Sequence, residues 1–140
     1  MKKAVILDTG PLVALIDSRD RDHEWCRAQW SDIEPPLLTC ESVISEACFL
    51  LSQIQTGGNQ VFEMLTRKAI AISFRMEDHI ADVARLSKKY SDIPMSVADA
   101  SLVCMAHHNP SSAIFTLDAD FRVYRKHGRQ VIPLIAPSRV

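Results

Sequence analysis

The strongest constraint on this chain is an alternation. Short apolar runs recur along it: Ala4-Val5-Ile6-Leu7, Leu37-Leu38-Thr39-Cys40, Ala69-Ile70-Ala71-Ile72-Ser73-Phe74, Ala113-Ile114-Phe115-Thr116 and Gln130-Val131-Ile132-Pro133-Leu134. Runs this short and this rich in branched side chains read as buried strands. Between them lie stretches of helical period. One starts at Pro11, whose fixed φ suits the first turn of a helix. Others cover residues 20–30, 41–55, 60–67, 77–90, 96–108 and 118–127. The clearest places Val43, Ile44, Ala47, Leu50, Leu51 and Ile54 on one stripe. Buried strands alternating with amphipathic helices predict an α/β fold with a parallel sheet covered on both faces. The 140 residues fit a single domain, 1–140, and a chain of this size buries about two-thirds of its unfolded surface without a structural metal or disulfide.

Composition narrows the functional classes. The net charge is −1, so a basic coat that binds nucleic acid regardless of sequence is excluded, and any nucleic acid must be held locally. No apolar run reaches the ~18 residues of a membrane span. The opening Met1-Lys2-Lys3-Ala4-Val5-Ile6-Leu7-Asp8 stops being apolar at Asp8 and lacks a small-residue cleavage site, so it reads as a strand and not a secretion signal. Cys26, Cys40, Cys48 and Cys104 form no CxxC pair, which predicts reduced packing residues in a cytoplasmic protein and no zinc finger. His107 and His108 precede Asn109-Pro110, where a helix should end and where cationic side chains suit its dipole.

In open α/β sheets the working crevice lies beyond the carboxyl ends of the strands. Acids gather at those exits. Asp8 ends the first strand, Glu46 sits in the helix after the second, and Asp118 follows the fourth, with Asp120 two residues on as its rival. Asp99 lies in the helix that feeds the fourth strand. Each acid alone also reads as a helix cap or an edge residue. Together they converge on one end of the sheet, and four carboxylates there cannot all stay ionised without a counter-charge. An oxygen-only donor set suits a hard cation, Mg²⁺ or Mn²⁺.

These residues resemble the PIN-domain nucleases, most closely the VapC-like toxins of toxin–antitoxin systems. The likeness runs through Val5-Ile6-Leu7-Asp8-Thr9-Gly10-Pro11-Leu12-Val13-Ala14, Ser45-Glu46-Ala47, Val97-Ala98-Asp99-Ala100-Ser101-Leu102 and Phe115-Thr116-Leu117-Asp118-Ala119-Asp120-Phe121. It implies a three-layer α/β/α sandwich with a five-stranded parallel sheet. It also implies Mg²⁺-dependent cleavage of RNA, with Asp8, Glu46, Asp99 and Asp118 as the catalytic cluster. A homodimer and an antitoxin partner are further implications. Where many relatives carry an Asp, this chain has Ser96.

Phosphodiester hydrolysis needs an activated water and neutralised charge on the phosphate, and metal ions supply both. Asp8 and Asp99 are assigned here as the main metal ligands, and Glu46 as the residue that orients or deprotonates the water. Thr9 and Thr116 hydroxyls can hold these carboxylates or contact phosphate. Arg122, Arg125, Lys126, His127 and Arg129 form the densest basic segment, so Arg122 is the candidate for substrate contact. Trp25 and Trp30 read as packing or interface residues. Three other readings remain: a non-toxin RNA-processing nuclease of the same family, a silent RNA- or protein-binding module, and a phosphoacceptor receiver domain. The last requires an acidic pair at the first strand and an Asp after the third. Asp8 has no acidic neighbour, and Phe74-Arg75 stands at the third exit.

Overall fold

A computed structural model describes residues 3–140. Met1 and Lys2, at the head of the run read as a strand and not a signal, lie outside the described residues. The chain runs β1 (Val5–Leu7), α1 (Thr9–Ile16), α2 (His23–Ser31), β2 (Leu37–Cys40), α3 (Glu41–Leu50), α4 (Gly57–Thr66), β3 (Ile70–Phe74), α5 (Ile80–Lys89), α6 (Val97–His108) and β4 (Ala113–Phe115). Three two-residue strands close it: β5 (Arg125–Lys126), β6 (Gln130–Val131) and β7 (Leu134–Ile135).

Five strands form one sheet in the order β3-β2-β1-β4-β7, and every pairing in it is parallel. β1 is central, with Val5, Ile6 and Leu7 opposite Ala113, Ile114 and Phe115 of β4. Successive strand residues point to opposite faces, yet all three residues of β1 and of β4 are buried. Both faces of the sheet are therefore covered, as in an α/β/α sandwich. α6 is buried almost all round, from Ala100 through Ala106, which is the pattern of a helix enclosed by protein on every side. It packs against β1, β2 and β4.

Chain order places the crevice. The chain goes from β1 to β2 and β3 on one side, then returns to β4 on the other. The loops leaving β1 and β4 diverge there, and such a switch point opens a cleft at the carboxyl ends of the strands. α1 starts in this cleft, capped by the Asp8 carboxylate, which accepts from the Thr9 N–H. Pro11 falls in the first turn, where an N–H would have no helical partner. Gly10 lets that turn approach the β4 exit closely: a Cβ on it would stand 3.3 Å from Leu117 Cβ.

The strands and helices expected through β4 are present with shifted ends, and two expectations after it need correction. Residues 118–127 do not make an α-helix. A single 3-10 turn, Ala119–Arg122, buries Phe121, and the chain then enters the antiparallel β5–β6 hairpin. His127 and Gly128 take positive φ of 51° and 80° and reverse the chain. The fifth strand of the main sheet is consequently β7, not residues 130–134. Gln130 and Val131 belong to the exposed hairpin, and only past Pro133 does Leu134 pair with Ile114. The helix expected over 41–55 likewise ends at Leu50 and tightens into a 3-10 turn, Leu51–Gln53.

Candidate active site

The crevice at the switch point is a cavity of about 440 Å³. Asp8, Glu46, Asp99, Asp118 and Asp120 line it with Thr9, Gly10, Leu50, Pro94, Ser96 and Leu117, and no Lys, Arg or His is among its lining residues. One carboxylate oxygen from each of Asp99, Asp118 and Asp120 lies within 4.8 Å of the other two. Asp8 and Glu46 stand on the same walls but outside that trio. The structure therefore brings together all four acids expected from the sequence, and it brings Asp120 in beside Asp118.

Four of the five carboxylates, those of Asp8, Glu46, Asp99 and Asp118, accept from a polar neighbour. Asp8 is buried. Its Oδ1 accepts from the Thr9 N–H at 2.8 Å, and its Oδ2 accepts from the Thr116 hydroxyl at 2.7 Å. Thr116 Oγ1 in turn accepts from the Asp118 N–H at 3.0 Å, so one buried hydroxyl ties the exits of β1 and β4 together. The Thr9 hydroxyl donates to Glu46 Oε2 at 3.0 Å. Thr9 and Thr116 thus orient carboxylates, the first of the two roles open to them. Asp118 Oδ1 accepts from the Asp120 N–H. Ser96 caps α6 by accepting from the Asp99 N–H at 3.0 Å, and the Tyr124 hydroxyl donates to Asp99 Oδ2 at 2.8 Å.

The electrostatics follow from this crowding. Burial pushes the Asp8 carboxyl from its usual 3.8 up to about 7; the Thr116 and Thr9 bonds pull it back, and the charges of Asp99 and Asp118 add to the rise. Asp99 is raised for the same leading reason, opposed by its bonds to Tyr124 and Ser96 and reinforced by Asp118 and Asp120. Asp120 is raised by desolvation and by Asp118. Burial, then the bond to Asp99, holds the Tyr124 phenol well above its ordinary range. A site that raises several carboxyls at once is short of positive charge.

The basic segment is placed differently. Arg122 Nε donates to the Val140 carbonyl at 2.6 Å, and Arg125 donates to the carbonyls of Arg122, Val123 and Tyr124. Lys126 is buried and donates to Pro110. Arg122 does not line the cavity. The residue that sequence reasoning missed is Tyr124. Its spacing of three from Phe121 hints at a shared buried face, but its pairing with Asp99 is long-range and left no local pattern.

Residues 5–127 match the PIN domain family, and the chain belongs to that family. Among solved structures it is similar to VapC20 of Mycobacterium tuberculosis, a toxin that cleaves the sarcin-ricin loop. The TM-score is 0.72 over 86% of this chain and 94% of that one, at 16% identity, a likeness of fold. No curated protein matches the sequence.

Proposed function

We propose that this protein is a metal-dependent endoribonuclease, that residues 1–140 act as one PIN domain, and that it serves as the toxin of a toxin–antitoxin pair. The observation that carries the reading is the crevice itself: five carboxylates line one cavity and no cationic side chain lines it with them. The donor set fits Mg²⁺, with Mn²⁺ as substitute, because hard dications take carboxylate oxygens and need no imidazole or thiolate. Asp8 and Asp99 would hold the ion, with Asp118 and Asp120 completing the negative field. A bound Mg²⁺ would supply an activated water and neutralise charge on the phosphate.

The chain's own residues do the rest. Thr116 and the Thr9 N–H fix both oxygens of Asp8, so that its geometry is set before substrate arrives. Tyr124 does the same for one oxygen of Asp99. Thr9 holds Glu46 at the cavity wall, where the carboxylate can orient the attacking water or accept its proton. No attack by the RNA 2′-hydroxyl is required, so the products carry a 5′-phosphate and a 3′-hydroxyl. A cytoplasmic homodimer is part of this reading. It is supported by the family and by exposed Phe49 and Leu50, the second of which lines the crevice; both are apolar side chains of the kind that mark contact surfaces. Among the described residues no helix is long and apolar enough to cross a membrane.

The test is cleavage of labelled RNA. Activity should appear with Mg²⁺ or Mn²⁺, vanish in EDTA and need no zinc. Asp8→Asn and Asp99→Asn should each remove most of it while the far-UV circular dichroism is unchanged. Undiminished turnover in both variants contradicts the assignment.

A further inference from the structure

Four of the five histidines gather around the carboxyl end of α6, and two of them are uncommitted. His107 is engaged: its Nε2 accepts from the His127 N–H at 3.2 Å, and the two rings stack at 5.0 Å, which seats the β5–β6 hairpin on the helix. His108, the last residue of α6, is exposed. It faces His79, the residue from which α5 starts, with ring centroids 4.5 Å apart. The His79 ring also stacks on Phe74 at 5.0 Å and 14°, which fixes its plane. Neither the His79 nor the His108 ring has a hydrogen-bond partner among the described residues. Asp82, three residues beyond His79, closes the group: one donor atom from each of His79, Asp82 and His108 lies within 4.8 Å of the other two.

We propose that His79, Asp82 and His108 form a second metal site, specific for Zn²⁺ and separate from the acidic crevice. Two imidazoles with one carboxylate is a donor set that Zn²⁺ uses with a fourth position left to water, and the exposure of His108 leaves that position open. Mg²⁺ prefers oxygen and binds imidazole poorly, so the two sites differ in the ion they select. The carboxyl end of a helix carries partial negative charge, which favours a dication beside His108. Asp82 pairs with Arg85 at 3.3 Å, with both side chains about half exposed, and an ion pair of that kind contributes little and yields to a dication. Asp99 and His108 stand nine residues apart on α6, about 13 Å along its axis. The proposed ion would tie the β3–α5 junction to the end of the helix whose first turn carries Asp99. The site does not rest on the nuclease reading.

Cobalt, a spectroscopic stand-in for zinc, tests this on the full chain stripped with EDTA. One equivalent of Co²⁺ should give the intense visible bands of a four-coordinate site in wild type and equally in Asp99→Asn, and Zn²⁺ should abolish them by displacement. His79→Gln and His108→Gln should each remove the bands and weaken Zn²⁺ binding by more than the roughly 10–100-fold that outer-shell changes cost. Zn²⁺ should also raise the melting temperature of wild type and not of His108→Gln. His108 is exposed, so its variant carries the test even if His79→Gln, which loses the stack on Phe74, fails to fold. Absence of four-coordinate bands in wild type, their loss in Asp99→Asn, or their persistence in His108→Gln overturns the proposal.

Discussion

Asp8 is a carboxylate held out of water, and its surroundings set a measurable cost. Its carboxyl rises from 3.8 to about 7, chiefly through burial. Between those values the folded chain keeps a proton that the unfolded chain has lost, so stability falls as pH rises through that window. At ~1.4 kcal/mol per unit, the metal-free protein loses about 4 kcal/mol from this group between pH 4 and pH 7. Urea unfolding in EDTA should therefore show a fall from pH 5 to pH 8 that shrinks in Asp8→Asn; identical pH dependence in both would refute the shift. The asparagine carries its own penalty, since both Asp8 oxygens now accept bonds and an amide offers only one oxygen. Tyr124 gives a second test at this scale. Tyr124→Phe removes one bond to a partly buried carboxylate, which should cost roughly 1–3 kcal/mol and raise the Mg²⁺ concentration needed for half-maximal cleavage.

At the scale of elements, β1, β2 and β4 were legible because each is a short apolar run ending in a polar residue. The acids at their exits were legible for the same reason. The end of the chain was not. Val131, Ile132 and Leu134 look alike in sequence, but Val131 belongs to the exposed hairpin, Ile132 is buried and Leu134 pairs with β4. That partition is set by the positive-φ turn at His127-Gly128, for which Gly128 alone was a signal. Arg122 failed to reach the crevice wall because the 3-10 turn directs it to Val140, a tertiary choice with no periodicity behind it. The α3–α4 corner offers a sharper check. A Cβ on Gly57 would lie 2.8 Å from Leu51 Cβ and 2.9 Å from the Leu51 carbonyl oxygen, whereas one on Gly58 meets nothing within 4 Å. Gly57→Ala should destabilise by about 1–3 kcal/mol, while Gly58→Ala should be neutral or stabilise by up to ~1 kcal/mol. Equal midpoints in denaturant would show that Gly57 does not pack against Leu51.

At the scale of the whole molecule, the surface separates packing aromatics from contact aromatics. Trp25 and Trp30 both set their rings against buried Phe115 at 6.0 Å, so they are half-buried packing residues against the core. Phe49 is 76% exposed, more than Phe62 at 55%, and is the aromatic offered most fully to an interface. Light scattering should give about twice the chain mass of 15.7 kDa, and Phe49→Ser should shift it toward one; a monomer in wild type counts against the dimer. If the chain is a toxin, its expression should arrest growth, and an antitoxin that occupies the acidic crevice should relieve the arrest.

The crevice is built to take a dication and loses stability when it lacks one. Asp99→Asn tests it most cleanly, because the asparagine oxygen can still accept from Tyr124 while the charge is gone. The measurement is thermal melting of wild type and Asp99→Asn, each in EDTA and in Mg²⁺. Relief of repulsion should make the variant melt higher in EDTA, and loss of a ligand should leave it with much less gain from Mg²⁺ than wild type shows. A variant that melts lower in EDTA, with both proteins responding equally to Mg²⁺, would mean that these acids are caps and structural partners and that the metal site lies elsewhere.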